Sequence, residues 1–147
     1  MKTIRQLVKL KGHDIWTTSP TARVFDALQV MAEKDIGALL VLDGKTLVGI
    51  FSERDYARKV ILKGKSSKNT RVNEIMSSPL IFIEPDNTIE QGLALMSAKH
   101  IRHLPVMDDN RLLGIVTIGD LIKSLIDDQK ITIDHLEKYI LSNTSIT

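Results

Sequence analysis

The chain has 147 residues, 43% of them hydrophobic and 26% charged, with eight Gly, four Pro and no Cys. Zero Cys excludes disulfide scaffolds, Cys-ligated zinc, iron–sulfur clusters and thiol nucleophiles, and the apolar fraction is far above that of a disordered chain. A net charge of +2 with only three Phe, two Tyr and one Trp offers neither the electrostatic footprint nor the stacking platform of a nucleic-acid binder.

From Met1 to Lys11, the basic residues Lys2, Arg5, Lys9 and Lys11 interrupt the apolar ones, so no secretory stretch forms. The longest apolar run, Ile36 to Leu42, is too short to span a membrane. A cytoplasmic protein without a membrane partner is expected. Ile15 to Thr18 reads as extended. After Pro20, Val24, Leu28 and Met31 fall at i, i+4 and i+7, the stripe of an amphipathic helix. Ile36 to Leu42 then has strand length, and Asp43-Gly44-Lys45 supplies a turn into a returning strand, Leu47 to Phe51. A second helix is expected from about Glu53 to Leu62.

The run Lys63 to Arg71 is polar and reads as a flexible linker. Arg58, Lys59 and Arg71 flank it, but without interleaved aromatics it does not form a nucleic-acid site. Beyond it the pattern returns. Leu80 to Ile83 is extended, and Ile89, Leu93 and Met96 form a helical stripe after Pro85. Ile101 to Met107 and Leu112 to Val116 flank the turn Asp108-Asp109-Asn110, and a helix follows from about Ile118 to Ile126. Ile133, Leu136 and Ile140 give a last helical stripe, expected to pack on the body or on a partner subunit.

This return is an internal repeat at an offset of 65 residues. Twelve identical pairs run from Pro20/Pro85 to Asp55/Asp120, among them Met31/Met96, Leu39/Leu104, Gly49/Gly114 and Ile50/Ile115. The fold class is therefore α+β, a β-α-β-β-α unit present twice and related by pseudo-twofold symmetry. Neither unit of about 60 residues buries much surface alone, and the cleft between two such units is a natural ligand site. The expected division is 7–62, a linker 63–71, 72–127 and a helical tail 128–147.

The chemistry lies in two matching segments, Gly49-Ile50-Phe51-Ser52-Glu53-Arg54-Asp55 and Gly114-Ile115-Val116-Thr117-Ile118-Gly119-Asp120. Each puts a hydroxyl and, three residues on, a carboxylate at a strand-to-helix junction. Such a pair can be a helix capping box. It can also be a binding site, in which helix N–H groups and the hydroxyl meet a phosphate while the Asp accepts from two ribose hydroxyls. Other chemistry finds no support. His100 and His103 sit at a helix-to-strand turn where their spacing does not align two metal ligands. His13 and His135 are isolated. Lys34 and Lys99 read as solvated helix ends and Met31 and Met96 as core. No Gly-x-Ser-x-Gly, Walker loop or paired-carboxylate pattern is present, so an enzyme is not expected.

The tandem unit ending in Gly-x-x-(Ser/Thr)-x-x-Asp resembles a pair of cystathionine-beta-synthase (CBS) domains, the Bateman module, from about Leu7 to Ile126. Ile101-Arg102-His103-Leu104-Pro105-Val106 and Gly49 to Tyr56 carry the resemblance most closely. It implies a regulatory module binding AMP, ADP, ATP, NAD(H) or S-adenosylmethionine between the repeats, usually as a homodimer associating through its second helices, and signalling to a regulated protein. By position it implies ribose ligands at Asp55 and Asp120, and phosphate ligands at Ser52, Thr117, Arg102 and His103. Arg54, Ala38 and Ser78 join the candidate set, and the stretches Lys11 to Asp14 and Ser77 to Leu80 match the adenine-contacting segments less specifically. The two sites differ: Arg102 and His103 of the second repeat correspond to Gly37 and Ala38 of the first, and Glu53 and Arg54 of the first to Ile118 and Gly119. An interaction scaffold with empty pockets is the competing reading.

Overall fold

A computed structural model describes residues 2–12, 15–78 and 80–144. The first repeat holds β1 (Thr17–Thr18), α2 (Val24–Lys34), β2 (Ala38–Asp43), β3 (Thr46–Ser52) and α3 (Glu53–Lys59), preceded by α1 (Ile4–Lys11). The second holds α4 (Ile89–Lys99), β4 (His103–Asp108), β5 (Arg111–Thr117) and α5 (Ile118–Thr144). The mixed architecture and its duplication are as the repeat predicts. Both hairpins shift register at the same place, between Val41 and Leu42 and between Val106 and Met107. The helices before them end alike, with Asp35 (φ 53°) and His100 (φ 55°) in the left-handed conformation that turns each chain into its strand.

The repeats differ at their first strand. Thr17 and Thr18 pair in parallel with Leu40 and Val41. In the second repeat only Ile83 bridges to Val106, so the expected strand Leu80 to Ile83 shrinks to one residue. Pro105 stands where the first repeat has Leu40, and without an N–H it cannot extend the ladder back toward Ile81.

Each repeat is closed by the segment that precedes the other. Ile4, Leu7 and Val8 of α1 are buried with Ile83, Ile89, Met96, Leu104, Val106, Val116 and Leu121, in the core of the second repeat. Val72 and Ile75, just past the linker, are buried with Val24, Met31, Leu39, Val41 and Phe51, in the core of the first. Main-chain bonds fix the exchange: Ile4 N–H donates to Asn87 C=O (2.9 Å) and Val72 N–H to Ala22 C=O (2.9 Å). Gly49 is small because Met76 lies over it, its Sδ 2.6 Å from where a Cβ would stand. The polar run 63–71 is tied down as well. Phe25 N–H donates to Ser67 C=O (2.9 Å), the Arg71 guanidinium donates to Thr21 C=O (2.7 Å), and Thr70 is buried.

The two expected C-terminal helices are one. α5 runs unbroken for 27 residues because no Pro or mid-helix Gly interrupts it. Leu121 and Ser124 are buried, but residues 129–142 are exposed throughout, so the Ile133/Leu136/Ile140 stripe does not lie on the body of its own chain.

Candidate functional site

Both strand-to-helix junctions are capping boxes. Asp55 N–H donates to Ser52 Oγ (3.1 Å) and Ser52 N–H to Asp55 Oδ2 (3.0 Å). Asp120 N–H donates to Thr117 Oγ1 (3.0 Å) and Thr117 N–H to Asp120 Oδ2 (2.9 Å). Capping consumes one carboxylate oxygen in each case, and what meets the rest of each Asp separates the sites.

At the first junction Asp55 is buried, 8% exposed, and its Oδ1 accepts from Ser77 Oγ (3.2 Å) and lies 3.2 Å from Lys59 Nζ. Ser77 is held there by an antiparallel bridge to Ile50 on β3. These groups line a cavity of about 670 Å³ between the repeats. Ser52, Glu53, Arg54, Asp55, Arg58 and Lys59 come from the first repeat, and Arg102 and His103 from the second. Ile50, Leu80, Ile81 and Ile101 supply apolar wall. Arg54, Arg58, Lys59 and Arg102 outnumber Glu53 and Asp55, so the cavity is net positive. Gly37 lies against His103, whose Nε2 would be in ordinary contact, 3.5 Å, with a Cβ at that position. The Arg54 guanidinium donates to His100 C=O (3.3 Å), a polar tie across the repeat boundary. A cationic pocket with an apolar wall and one buried carboxylate can seat a ligand bearing phosphate, a flat apolar group and vicinal hydroxyls.

At the second junction a lysine of the chain itself bonds the capping oxygen. Lys11 Nζ, from α1, donates to Asp120 Oδ2 (2.6 Å) and to Ile115 C=O (3.0 Å). Burial pushes the Asp120 pKa up, but the hydrogen bonds and charge of Lys11 and the Thr117 bonds outweigh it and hold the carboxyl below its usual range. Asp120 thus contributes stability above pH about 4 that is lost as pH falls through its depressed pKa. Lys11→Met introduces the residue that stands 65 positions on, at Met76. It is expected to move the Asp120 carboxyl back up, read from the carboxylate carbon shift in an NMR titration; an unmoved midpoint would show that Lys11 does not hold it. His103 is shifted downward as well: burial first, then Lys11 and Arg102, lower its pKa against the opposing pull of Asp120, so it is neutral at pH 7.

Five candidate residues, Ser52, Arg54, Asp55, Arg102 and His103, meet at one cavity. Thr117 and Asp120 lie at the other junction. Ala38 is buried at the start of β2, and Ser78 is exposed just past the Ile50–Ser77 bridge; neither lines the cavity. Of the two adenine-contacting stretches, His13, Asp14 and Pro79 lie outside the described residues. Sequence reasoning passed over Arg58 and Lys59 as linker flanks and named Lys11 only within an adenine-contacting stretch, not as the partner of Asp120. The i, i+4 spacing of Asp55 and Lys59 on one helix was the available signal. Among the described residues no group of three or more His, Asp or Glu could hold a metal ion, and no helix is long and apolar enough to cross a membrane.

Comparison with known proteins gives the same fold. The family model for the CBS domain matches residues 8–62 and 72–127. A protein with CBS domains from Burkholderia ambifaria MC40-6 superposes with a TM-score of 0.84 at 48% identity, covering 87% of this chain and 96% of that one. The CBS-domain containing protein ATU1752 from Agrobacterium tumefaciens superposes with a TM-score of 0.79 at 31% identity, covering 84% and 98%. The mitochondrial CBS domain-containing protein CBSX3 of Arabidopsis thaliana is 35% identical over 148 residues, 94% of this chain and 71% of its own length.

Proposed function

Because the chain belongs to the CBS-domain family and carries two such domains in tandem, we propose that it is a non-catalytic regulatory module binding an adenosine-containing nucleotide in the cavity between them. The observation that carries this reading is the cavity of about 670 Å³ in which the buried Asp55 of one repeat and Arg102 and His103 of the other converge. Asp55 takes the ribose hydroxyls, displacing the Ser77 hydroxyl from Oδ1. Arg102, Arg54 and Arg58 take phosphate, and the apolar wall takes the base. AMP, ADP, ATP and NAD(H) fit that charge. S-adenosylmethionine brings a sulfonium cation into a pocket already rich in cations and fits less well. At the second junction Lys11 already bonds Asp120 Oδ2, so this reading assigns the nucleotide to the first cavity. Ligand contacts with both repeats bias their relative orientation, and a partner protein in the cytoplasm reads that change.

The test is a thermal-shift panel with AMP, ADP, ATP, NAD(H) and S-adenosylmethionine. A ligand at 100 times its Kd stabilises by about 2.7 kcal/mol. A shift with a phosphate-bearing ligand is the expected result. No shift with any of them leaves the capping boxes as structural caps and favours a ligand-free interaction scaffold.

A pH dependence follows from His103. A phosphate beside the ring favours its charged form, so binding takes up a proton and tightens as pH falls through the ordinary imidazole value of about 6.5 toward the depressed pKa of the free protein. His103→Gln is expected to flatten the difference in Kd across that range, measured by titration calorimetry. Identical pH profiles for the two proteins would remove His103 from the phosphate site.

A further inference from the structure

The C-terminal half of α5 is exposed on every side. Past Asp128, which lies 3.4 Å from Lys2 Nζ, residues 129–142 are exposed without interruption. A helix of this length is marginal alone in water, yet it carries Ile133 (55% exposed), Leu136 (55%) and Tyr139 (68%). Ile131 and Leu141 are exposed on other faces of the helix, but Ile133 and Leu136 follow a pattern. Ile126, Ile133 and Ile140 recur every seven residues, and Gln129 and Leu136 follow the first two by three, the a and d positions of a coiled-coil seam.

We infer that this seam pairs with the same segment of a second copy in antiparallel orientation. In that register Ile133 faces Leu136 of the other copy in both directions, and Gln129 faces Ile140. The flanking e positions are Lys130 and Glu137, seven residues apart and opposite in charge. Two antiparallel copies bring Lys130 of each beside Glu137 of the other, twice over, so the segment is complementary to itself. A parallel pair would set Lys130 against Leu125 and Glu137 against Thr132 instead, with no ionic match. Neither Lys130 nor Glu137 has an ion-pair partner within the chain among the described residues, whereas the outward-facing Lys138 pairs with Asp134 at 3.1 Å. The symmetry is that of an isologous twofold interface. Apart from Ile126 the seam lies beyond residue 127, where the second CBS domain match ends.

Sedimentation at low salt tests this on the full chain. The wild type is expected to be a dimer, and Leu136→Asp, at an exposed position, a folded monomer. Lys130→Glu and Glu137→Lys should each weaken self-association roughly threefold to thirtyfold. An equimolar mixture of those two variants should recover it, because every pair between them is then opposite in charge. The melting temperature of each variant reports that the body stays folded. A monomeric wild type, a Leu136→Asp variant that remains dimeric, or charge variants that associate as the wild type does would each overturn the pairing; the last would point to a different helix as the occupant.

Discussion

Asp55→Asn is expected to weaken nucleotide binding by about two orders of magnitude while the protein stays folded. A hydrogen bond to a charged group is worth about 1.5–3 kcal/mol, and a ribose presents two hydroxyls to this carboxylate. An amide keeps one acceptor oxygen, which can still take the Ser52 N–H that Asp55 Oδ2 takes now at 3.0 Å. It loses the charge and places an NH2 donor where Oδ1 now accepts. The alanine variant confounds the two roles, because removing the cap costs about 0.5–2 kcal/mol by itself. Asp120→Asn is the internal control: its carboxylate is engaged by Lys11 at 2.6 Å, so the first cavity should bind as before. Calorimetric Kd values for the two variants, read with their circular-dichroism melts, decide the matter. Equal losses at both positions would mean that the Asp residues act only through the helices they cap.

Ile4→Ala is expected to destabilise the protein by about 2–5 kcal/mol, the range for removing a fully buried aliphatic side chain. Ile4 precedes the first repeat in sequence, so a bead-on-a-string organisation would make it a dispensable end. In the structure it is 0% exposed and packed with Leu121 and Ile89 of the second repeat, its N–H bonded to Asn87. Gly92 sits against it, with Ile4 Cδ1 3.5 Å from where a Cβ would stand. Urea denaturation measures the loss, and amide exchange places it: protection should fall in α4, β4 and β5 more than in β2 and β3. A change below about 0.5 kcal/mol would mean that α1 is not part of that core.

Much of this was readable in the chain. Gly49/Gly114, Asp55/Asp120 and the apolar stripes repeat at 65 residues because two copies of one unit need the same turns and the same buried faces. The first repeat's Ser52 and Asp55 stand out in the sequence because capping and binding demand the same residues at the same junction, and the structure shows them capping. The exchange of flanking segments was less visible, although Thr3 and Gln6 form a capping box that starts α1 and Ile4, Leu7 and Val8 lie on one helical face. That pattern shows a helix and not the core that receives it. Lys11 and Asp120 are 109 residues apart, and no local periodicity links them. Pro105 illustrates the converse: its missing N–H was in plain sight, but its effect on the first strand appears only once Ile83 and Val106 are side by side.

Titration calorimetry of the wild-type chain with AMP, ADP, ATP and NAD(H) tests the central claim most directly. At least one of these is expected to give a saturable isotherm with one nucleotide per chain, abolished or weakened about a hundredfold by Asp55→Asn. The absence of saturable heat from all four, or binding that Asp55→Asn leaves untouched, would contradict it.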